Sequence, residues 1–365
     1  MATLLNPLQL GDIYSKSIVF IFRALVRPMG PSKSIAGSYL WRFDTQILSA
    51  GILLGARKGM VREIRVSTIS FTGAGGNGST EDKIERNRKA ALELLEMAAL
   101  DKPDIVCLPE TFTGLGLEIK EWFRSAEVVP GPTTEAVSKI AEEHGMYVVC
   151  PIVERSGDRT FNSAILIDRK GTVVGSYHKI HPTIHEIEAG VSPGTNPTIL
   201  ETDFGLIGFA ICFDMNYRSV AEGLKAGGAK LVFFPSMYPG GLQLSIWAHD
   251  MSFFIASAFT GNGSAIVDPL GRTLVKSSGY MQIISRLINL DFEVFHIDYN
   301  YEKWPAIKRK YGSGVEIDVA EPEGVFALYC NMNCITVEDI TKEFELETRD
   351  EYFKRAEEKR EKALR

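Results

Sequence analysis

Several things are scarce in this chain of 365 residues, and each scarcity excludes something. The apolar stretch SIVFIFRALV is interrupted by Arg23 and falls short of the ~20 residues a membrane-spanning helix requires. There is no basic patch, and the net charge is −6, so nucleic acid is not the main partner. The five cysteines (Cys107, Cys150, Cys212, Cys330 and Cys334) are odd in number, in a chain too long to need disulfides. That usage fits a reducing compartment, the cytoplasm. Cys330 and Cys334 form a C-x3-C pair without a second pair, which speaks against a zinc site. Acidic residues are nearly missing from the first 60 positions, where Asp12 and Asp44 stand against seven Lys or Arg, a charge of +5. The remainder holds 33 basic and 44 acidic residues, or −11. Residues 1–60 are therefore expected to be an accessory arm, with an organelle-targeting leader as the alternative.

What is present is an ordinary globular composition, 45% apolar with a mean hydropathy near zero. Length alone allows two domains or one large layered domain. REIRVSTISF, DIVCLP, YVVCPIV, FNSAILID, LIGFAI, KLVFFP, NGSAIVD and VFHIDYN read as strands, rich in β-branched and aromatic residues. STEDKIERNRKAALELLEMAAL reads as a helix capped at Ser79 and Thr80, with its acids early. PTTEAVSKIAEEHG reads as a helix closed by Gly145, and TVVGSY pairs with FNSAILID as a hairpin across RKG. Further helices are expected around 217–227, around 243–258 and through KWPAIKRKYG. The expected division is an arm over 1–60, a main domain over 61–300 and a helical, oligomer-contacting extension over 301–365. The mixture of βα units and hairpins predicts an α/β fold with helices on the outer faces of mixed sheet.

Three of these strands run into one chemically capable residue each: Glu110 after DIVCLP, Lys179 after TVVGSYH and Cys212 after LIGFAI. Ligand sites in α/β sheets gather at the carboxyl ends of strands, so the three are expected to meet in one pocket. Their chemistry is coherent. A nearby ammonium favours thiolate over thiol, a carboxylate can accept the thiol proton, and lysine can stabilise an oxyanion at a C=O or C≡N carbon. The Phe213 N–H, at the turn behind Cys212, is a further oxyanion donor.

CLPETF, YHKIHPT and GFAICFDMNY resemble the three signature segments of the nitrilase (carbon–nitrogen hydrolase) superfamily, in the family's order, across residues 61–300. The resemblance implies a four-layer α-β-β-α sandwich, no cofactor, and a homodimer or larger homo-oligomer. It implies Glu110 as general base, Lys179 as oxyanion-stabilising lysine and Cys212 as nucleophile. It also implies a second glutamate, for which Glu186 and Glu188 compete; the spacing K-x-x-P-T-x-x-E favours Glu186. Met237, Tyr238 and Trp247 are then expected to line the substrate pocket. Cys212-Phe213-Asp214 looks more like the amidase and N-carbamoyl-amide branches than the Cys-Trp-Glu of true nitrilases. Where those branches place a glutamate, this chain has Ser219, and Arg218 is a candidate for binding a substrate carboxylate. The implied substrate is a small amide, N-carbamoyl compound or nitrile.

Three rival readings compete. GAGGNG, residues 73–78, satisfies G-x-G-x-x-G between a strand and a helix. However, the helix starts after the last glycine, and the next strand-end acid, Glu110, comes 32 residues after Gly78 instead of ~20. His178, His181 and His185 suggest a metal hydrolase, yet Pro182 breaks the helix that such a set needs. A non-catalytic interaction protein on the same fold would have no use for the Glu–Lys–Cys set.

Overall fold

The computed structural model describes residues 63–365, so the expected arm over 1–60 lies outside the described residues. The chain begins with β1 (Glu63–Ile69), α1 (Thr80–Ala99), β2 (Ile105–Cys107), α2 (Pro132–His144), β3 (Tyr147–Ser156), β4 (Arg159–Ile167), β5 (Val173–His178) and α3 (Ile184–Glu188). It continues through β6 (Ile199–Thr202), β7 (Gly205–Phe209), α4 (Arg218–Ala226), β8 (Leu231–Ser236), α5 (Leu242–Met251), β9 (Phe254–Phe259), β10 (Ala265–Val267) and β11 (Thr273–Lys276). Last come β12 (Ile283–Asn289), β13 (Phe292–His296), α6 (Trp304–Tyr311), β14 (Val315–Ala320), β15 (Val325–Cys330), α7 (Val337–Glu343) and α8 (Arg349–Ala363).

Two six-stranded sheets result, in the orders β12-β1-β2-β3-β4-β5 and β11-β10-β9-β8-β7-β6. In both, the central strands β1-β2-β3 and β7-β8-β9 run parallel, and antiparallel strands complete the edges: hairpins, plus β12, which pairs with β1 from the far end of the domain. Side-chain alternation assigns the layers. Val66, Cys107, Val149 and Leu166 of the first sheet meet Phe209, Phe233 and Ala256 of the second in one apolar layer. The alternate residues Val106, Val148 and Ile165 pack against Leu95 of α1 and Val137 of α2. On the far side, Val232 and Ile255 pack against Leu224 of α4 and Ala248 of α5. This is the α-β-β-α sandwich, and strand period 2 is its cause: each buried strand must be apolar on both faces.

Local capping follows the sequence closely. Ser79 caps α1, accepting from the Asp82 N–H (3.1 Å) while the Asp82 carboxylate accepts from the Ser79 N–H (3.0 Å). The GAGGNG stretch precedes that cap as a loop, pinned by Asn87, whose side-chain oxygen accepts from the Ala74 N–H (2.8 Å).

Two expectations need correcting. The helix expected over 243–258 stops at Met251, and Phe254–Phe259 is the strand β9 between β8 and β10. Ser252 adopts the left-handed region (φ +55°) and ends the helix, releasing an apolar run that is buried on both faces. Such runs do not declare helix or strand by periodicity. The extension beyond residue 301 is not only helical: β14 and β15 join β13 in a third sheet, ordered β13-β15-β14. Among the described residues, no helix is long and apolar enough to cross a membrane.

Candidate active site

Glu110 leaves β2 through Leu108, whose N–H still donates to the Val149 carbonyl (3.1 Å) and keeps the chain in register with β3. Thr111 then turns away with φ +40°, a strained value for a β-branched residue. Lys179 follows the last residue of β5. Its N–H donates to the Asn162 carbonyl on β4 (2.9 Å), and its carbonyl accepts from the Gly194 N–H (2.8 Å). Gly194 has to be glycine there, because a Cβ would lie 2.2 Å from the His178 carbonyl oxygen. Cys212 ends the segment after β7 with φ +48°, opening a 3-10 turn over Cys212–Asn216. A left-handed non-glycine residue costs on the order of 1–3 kcal/mol and persists only where its surroundings hold it. Cys212, the candidate nucleophile, is one such residue, and Thr111 directly follows Glu110.

The strand ends converge. The Lys179 ammonium donates to Glu110 Oε1 (2.9 Å) and to both Glu186 oxygens (3.0 and 2.8 Å). Glu186 also accepts from the Thr183 N–H (2.7 Å), in a capping box at the start of α3. Glu110 Oε2 accepts from the Met237 N–H just beyond β8 (2.7 Å). Glu110 and Lys179 are each 1% exposed and Glu186 2%, so these charges depend on one another for solvation. Cys212 is half-buried, and its ionisation is influenced by Glu110, Lys179, the Met237 backbone and the Ser236 side chain.

Burial raises the Glu110 carboxyl above its ordinary range, with the Glu186 charge adding to that and Lys179 opposing it. Burial likewise pushes the Cys212 thiol up to about 12, reinforced by Glu110 and opposed by Lys179. Burial acts to neutralise Lys179, but its two carboxylates outweigh it and hold the ammonium charged. Desolvation opposes ionisation of Glu186 too, yet Lys179 and its other hydrogen-bond donors keep this carboxyl below the usual range. The site therefore pairs a resting thiol with a carboxylate that accepts protons readily, beside a permanent positive charge. Such a set can form and break bonds at a carbonyl carbon.

The remaining candidates fall in different places. Glu188 is exposed on α3, beside His185 (3.5 Å), and does not join the cluster. Phe213 is half-buried at the turn, its ring edge-on to Tyr217. Met237 reaches the site through its backbone N–H. Tyr238 is half-buried just beyond Met237, within electrostatic reach of Cys212, Glu110 and Lys179, its hydroxyl donating to Gln243 (3.1 Å). Trp247, expected at the pocket wall, is buried on the inner face of α5 in the same apolar cluster as Met215, Val220 and Leu244. That is the position of a core side chain, because α5 turns this face to the sheet. Arg218 is exposed and paired with Glu222 (3.0 Å) and Asp250 (2.7 Å), and Ser219 is exposed beside it.

The histidines of SYHKIHPTIHEIEAG go to three different acids. His178 pairs with Glu154 (2.9 Å), His181 with Asp214 (3.3 Å) and His185 with Glu188 (3.5 Å). Among the described residues, no group of His, Cys, Asp and Glu is arranged to hold a metal ion. Two residues escaped the sequence reading. Asn162 donates from Nδ2 to Glu110 Oε1 and Glu186 Oε1, both at 2.8 Å. Asp214 is fully buried behind the nucleophile turn, accepting from Tyr177, Ile211 and His181. The available signal was polarity in apolar surroundings: an amide inside a strand and an acid two residues past a strand-end cysteine.

A four-layer sandwich with a glutamate, a lysine and a cysteine gathered at its strand ends defines a hydrolase of the nitrilase type. The chain belongs to the carbon–nitrogen hydrolase family, whose model matches residues 73–291. It is 25% identical over 232 residues to omega-amidase NIT2 of Xenopus tropicalis, covering 56% of this chain and 84% of that protein. N-carbamoylputrescine amidase of Arabidopsis thaliana is 29% identical over 188 residues, covering 49% of this chain and 60% of that protein. Among solved structures, a mutant amidase from Nesterenkonia sp. AN1 superposes with a TM-score of 0.54 at 19% identity. The match covers 67% of this chain and 99% of that one, and that structure shows the result of Michael addition of acrylamide at the active-site cysteine.

Proposed function

We propose that this carbon–nitrogen hydrolase cleaves a linear amide or an N-carbamoyl compound through a thioester on Cys212. Glu110 takes the thiol proton as sulfur attacks the carbonyl carbon, while Lys179 and the Phe213 N–H hold the developing oxyanion. The tetrahedral adduct collapses, and Glu110 returns the proton to the departing ammonia or amine. A water deprotonated by Glu110 then attacks the thioester and releases the acid, restoring the thiol. Glu186 stays ionised throughout and anchors Lys179. No step requires a cofactor.

The observation that carries this reading is a buried Glu110 held by Lys179 at 2.9 Å, beside a thiol pushed up to about 12. Such a thiol rests protonated, so attack needs a base in place, and Glu110 is one. The amidase and N-carbamoyl-amidase relatives support the substrate class, and the acrylamide adduct supports a cysteine nucleophile. Ile184 and Ile187, exposed on α3 beside the site, support assembly with a second copy. Five free cysteines support a reducing compartment such as the cytoplasm.

The test is ammonia release across linear amides, N-carbamoyl amino acids and nitriles, with Cys212→Ala as control. Turnover of an amide or carbamoyl compound is expected, with a loss of at least about 10³-fold in the variant. Wild-type release from Cys212→Ala would overturn the mechanism, and turnover of nitriles alone would overturn the substrate class.

A further inference from the structure

We propose that Asn162 is a positioning residue that keeps Glu110 and Glu186 both ionised and separately oriented around a single ammonium. The inference rests on the mechanism above, in which Glu110 moves protons and Glu186 does not.

Two carboxylates and one lysine leave this buried cluster one negative charge in excess. Lys179 serves both acids, and Asn162 sits between the same two, on β4 with 0% exposure. Its Nδ2 carries two protons, and the acids accept at 2.8 Å each, so each carboxylate receives one. The opposite amide orientation would aim the Oδ1 dipole at two anions. The Asn162 carbonyl also accepts from the Lys179 N–H (2.9 Å), so one residue registers all three charged partners. Its side chain adds no charge of its own, which a second lysine or arginine would do.

The arrangement also separates the two acids by chemistry. Glu186 collects donors from Lys179, Asn162 and the Thr183 N–H. Glu110 shares Oε1 between Lys179 and Asn162, while its Oε2 accepts from the Met237 N–H. Hydrogen bonds to a carboxylate favour its ionised form. Withdrawing the amide protons therefore makes Glu110 hold its proton to higher pH, and a protonated Glu110 cannot act as base. The titratable groups facing Glu110 are Lys179 from the end of β5, Glu186 from α3, Cys212 from the nucleophile turn and Tyr238 from beyond β8. All are retained when Asn162 alone is changed.

The experiment is the pH profile of kcat/KM for Asn162→Ser and Asn162→Asp, beside wild type and Cys212→Ala, on the best amide or carbamoyl substrate. Both Asn162 variants are expected to shift the acid limb upward, by about one pH unit for Asn162→Ser and further for Asn162→Asp, which adds a third acid. At the plateau kcat falls while KM changes little, because the residue touches the base and not the substrate. Lowered activity with an unmoved limb in both variants would overturn the proposal, leaving Asn162 a packing role. Recovery of both variants unfolded would overturn it as well, by assigning the residue to folding. If Cys212→Ala retains turnover, the mechanism itself has failed. If Cys212→Ala is inactive and the Asn162 variants keep the wild-type limb, only this inference has.

Discussion

The Tyr177 hydroxyl donates to Asp214 Oδ2 across 2.7 Å, joining the strand that delivers Lys179 to the turn that delivers Cys212. Each partner lies two residues from its catalytic neighbour. The Asp214 carboxylate also accepts from the Ile211 N–H (2.9 Å) and the His181 N–H (2.8 Å), so it ties the two sheets together behind the site. This fastening opposes the backbone strain at Cys212. Asp214→Asn replaces an acceptor-only group with one that must present protons to these donors. The expected result is a loss of about 2–3 kcal/mol in stability and at least about tenfold in kcat. Tyr177→Phe removes a single hydrogen bond and should cost about 1 kcal/mol. Denaturant melts and kinetics on both variants check this, and a larger loss for Tyr177→Phe would contradict the account.

Glu186 and Glu188 stand two positions apart on α3, but only Glu186 is buried against Lys179. Glu186→Gln leaves the ammonium with one carboxylate and should lower kcat by about 10²-fold or more. Glu188→Gln alters an exposed side chain and should stay within about 0.5 kcal/mol of wild-type stability, with unchanged turnover. Comparable effects from the two substitutions, measured side by side, would rule out a special role for Glu186.

The pH dependence follows from the directions of the shifts. Glu110 must be ionised to act as base, and burial raises its proton affinity. The acid limb of kcat/KM is therefore expected above the ordinary glutamate value of about 4.3. Because the Cys212 thiol is pushed up to about 12, labelling of the free enzyme by iodoacetamide should still be accelerating between about pH 8 and 10. Labelling that is already level at neutral pH would mean a preformed thiolate and a different role for Glu110.

Arg349, at the start of α8, inserts its guanidinium at the end of α5 and donates to the His249 and Asp250 carbonyls. Terminal helix carbonyls lack intrahelical partners, so a buried cation there supplies both hydrogen bonds and charge complementarity. Beside it, Lys225 of α4 pairs with Asp350 (2.5 Å). Arg349→Ala should destabilise the protein by about 2–3 kcal/mol. Arg349→Lys should recover only part, since one ammonium cannot match the fork. Thermal unfolding of the two variants distinguishes this from a freely attached tail, for which neither change would matter.

Much of the sandwich was legible because its information is local. The apolar, β-branched runs YVVCPIV and FNSAILID, the cap at Ser79 and the glycine after α2 each depend on residues within a few positions of one another. The same holds for Glu110, Lys179 and Cys212, which betray themselves as chemically capable residues at the ends of apolar runs. Edge strands such as β6, β11 and β12 were illegible, because a half-exposed strand is specified by the neighbour it pairs with. The length of α5 was hidden for a related reason: WAHDMSFFIASAF is apolar enough for helix or strand, and only the slot between β8 and β10 decides.

The sequence by itself determined which residues could do chemistry and on which strands they would ride, since side-chain type and strand periodicity are properties of short segments. Tertiary structure alone decided what surrounds them. It buried Glu186 alone among the residues of α3, against Lys179, left Glu188 exposed, and sent three neighbouring histidines to three separate acids. It also brought Asn162 between Glu110 and Glu186, and set Asp214 behind the nucleophile turn as a fastening to Tyr177. Hydrogen bonds between residues tens of positions apart form only when the strands pair into sheets and the sheets stack, and no local pattern records them.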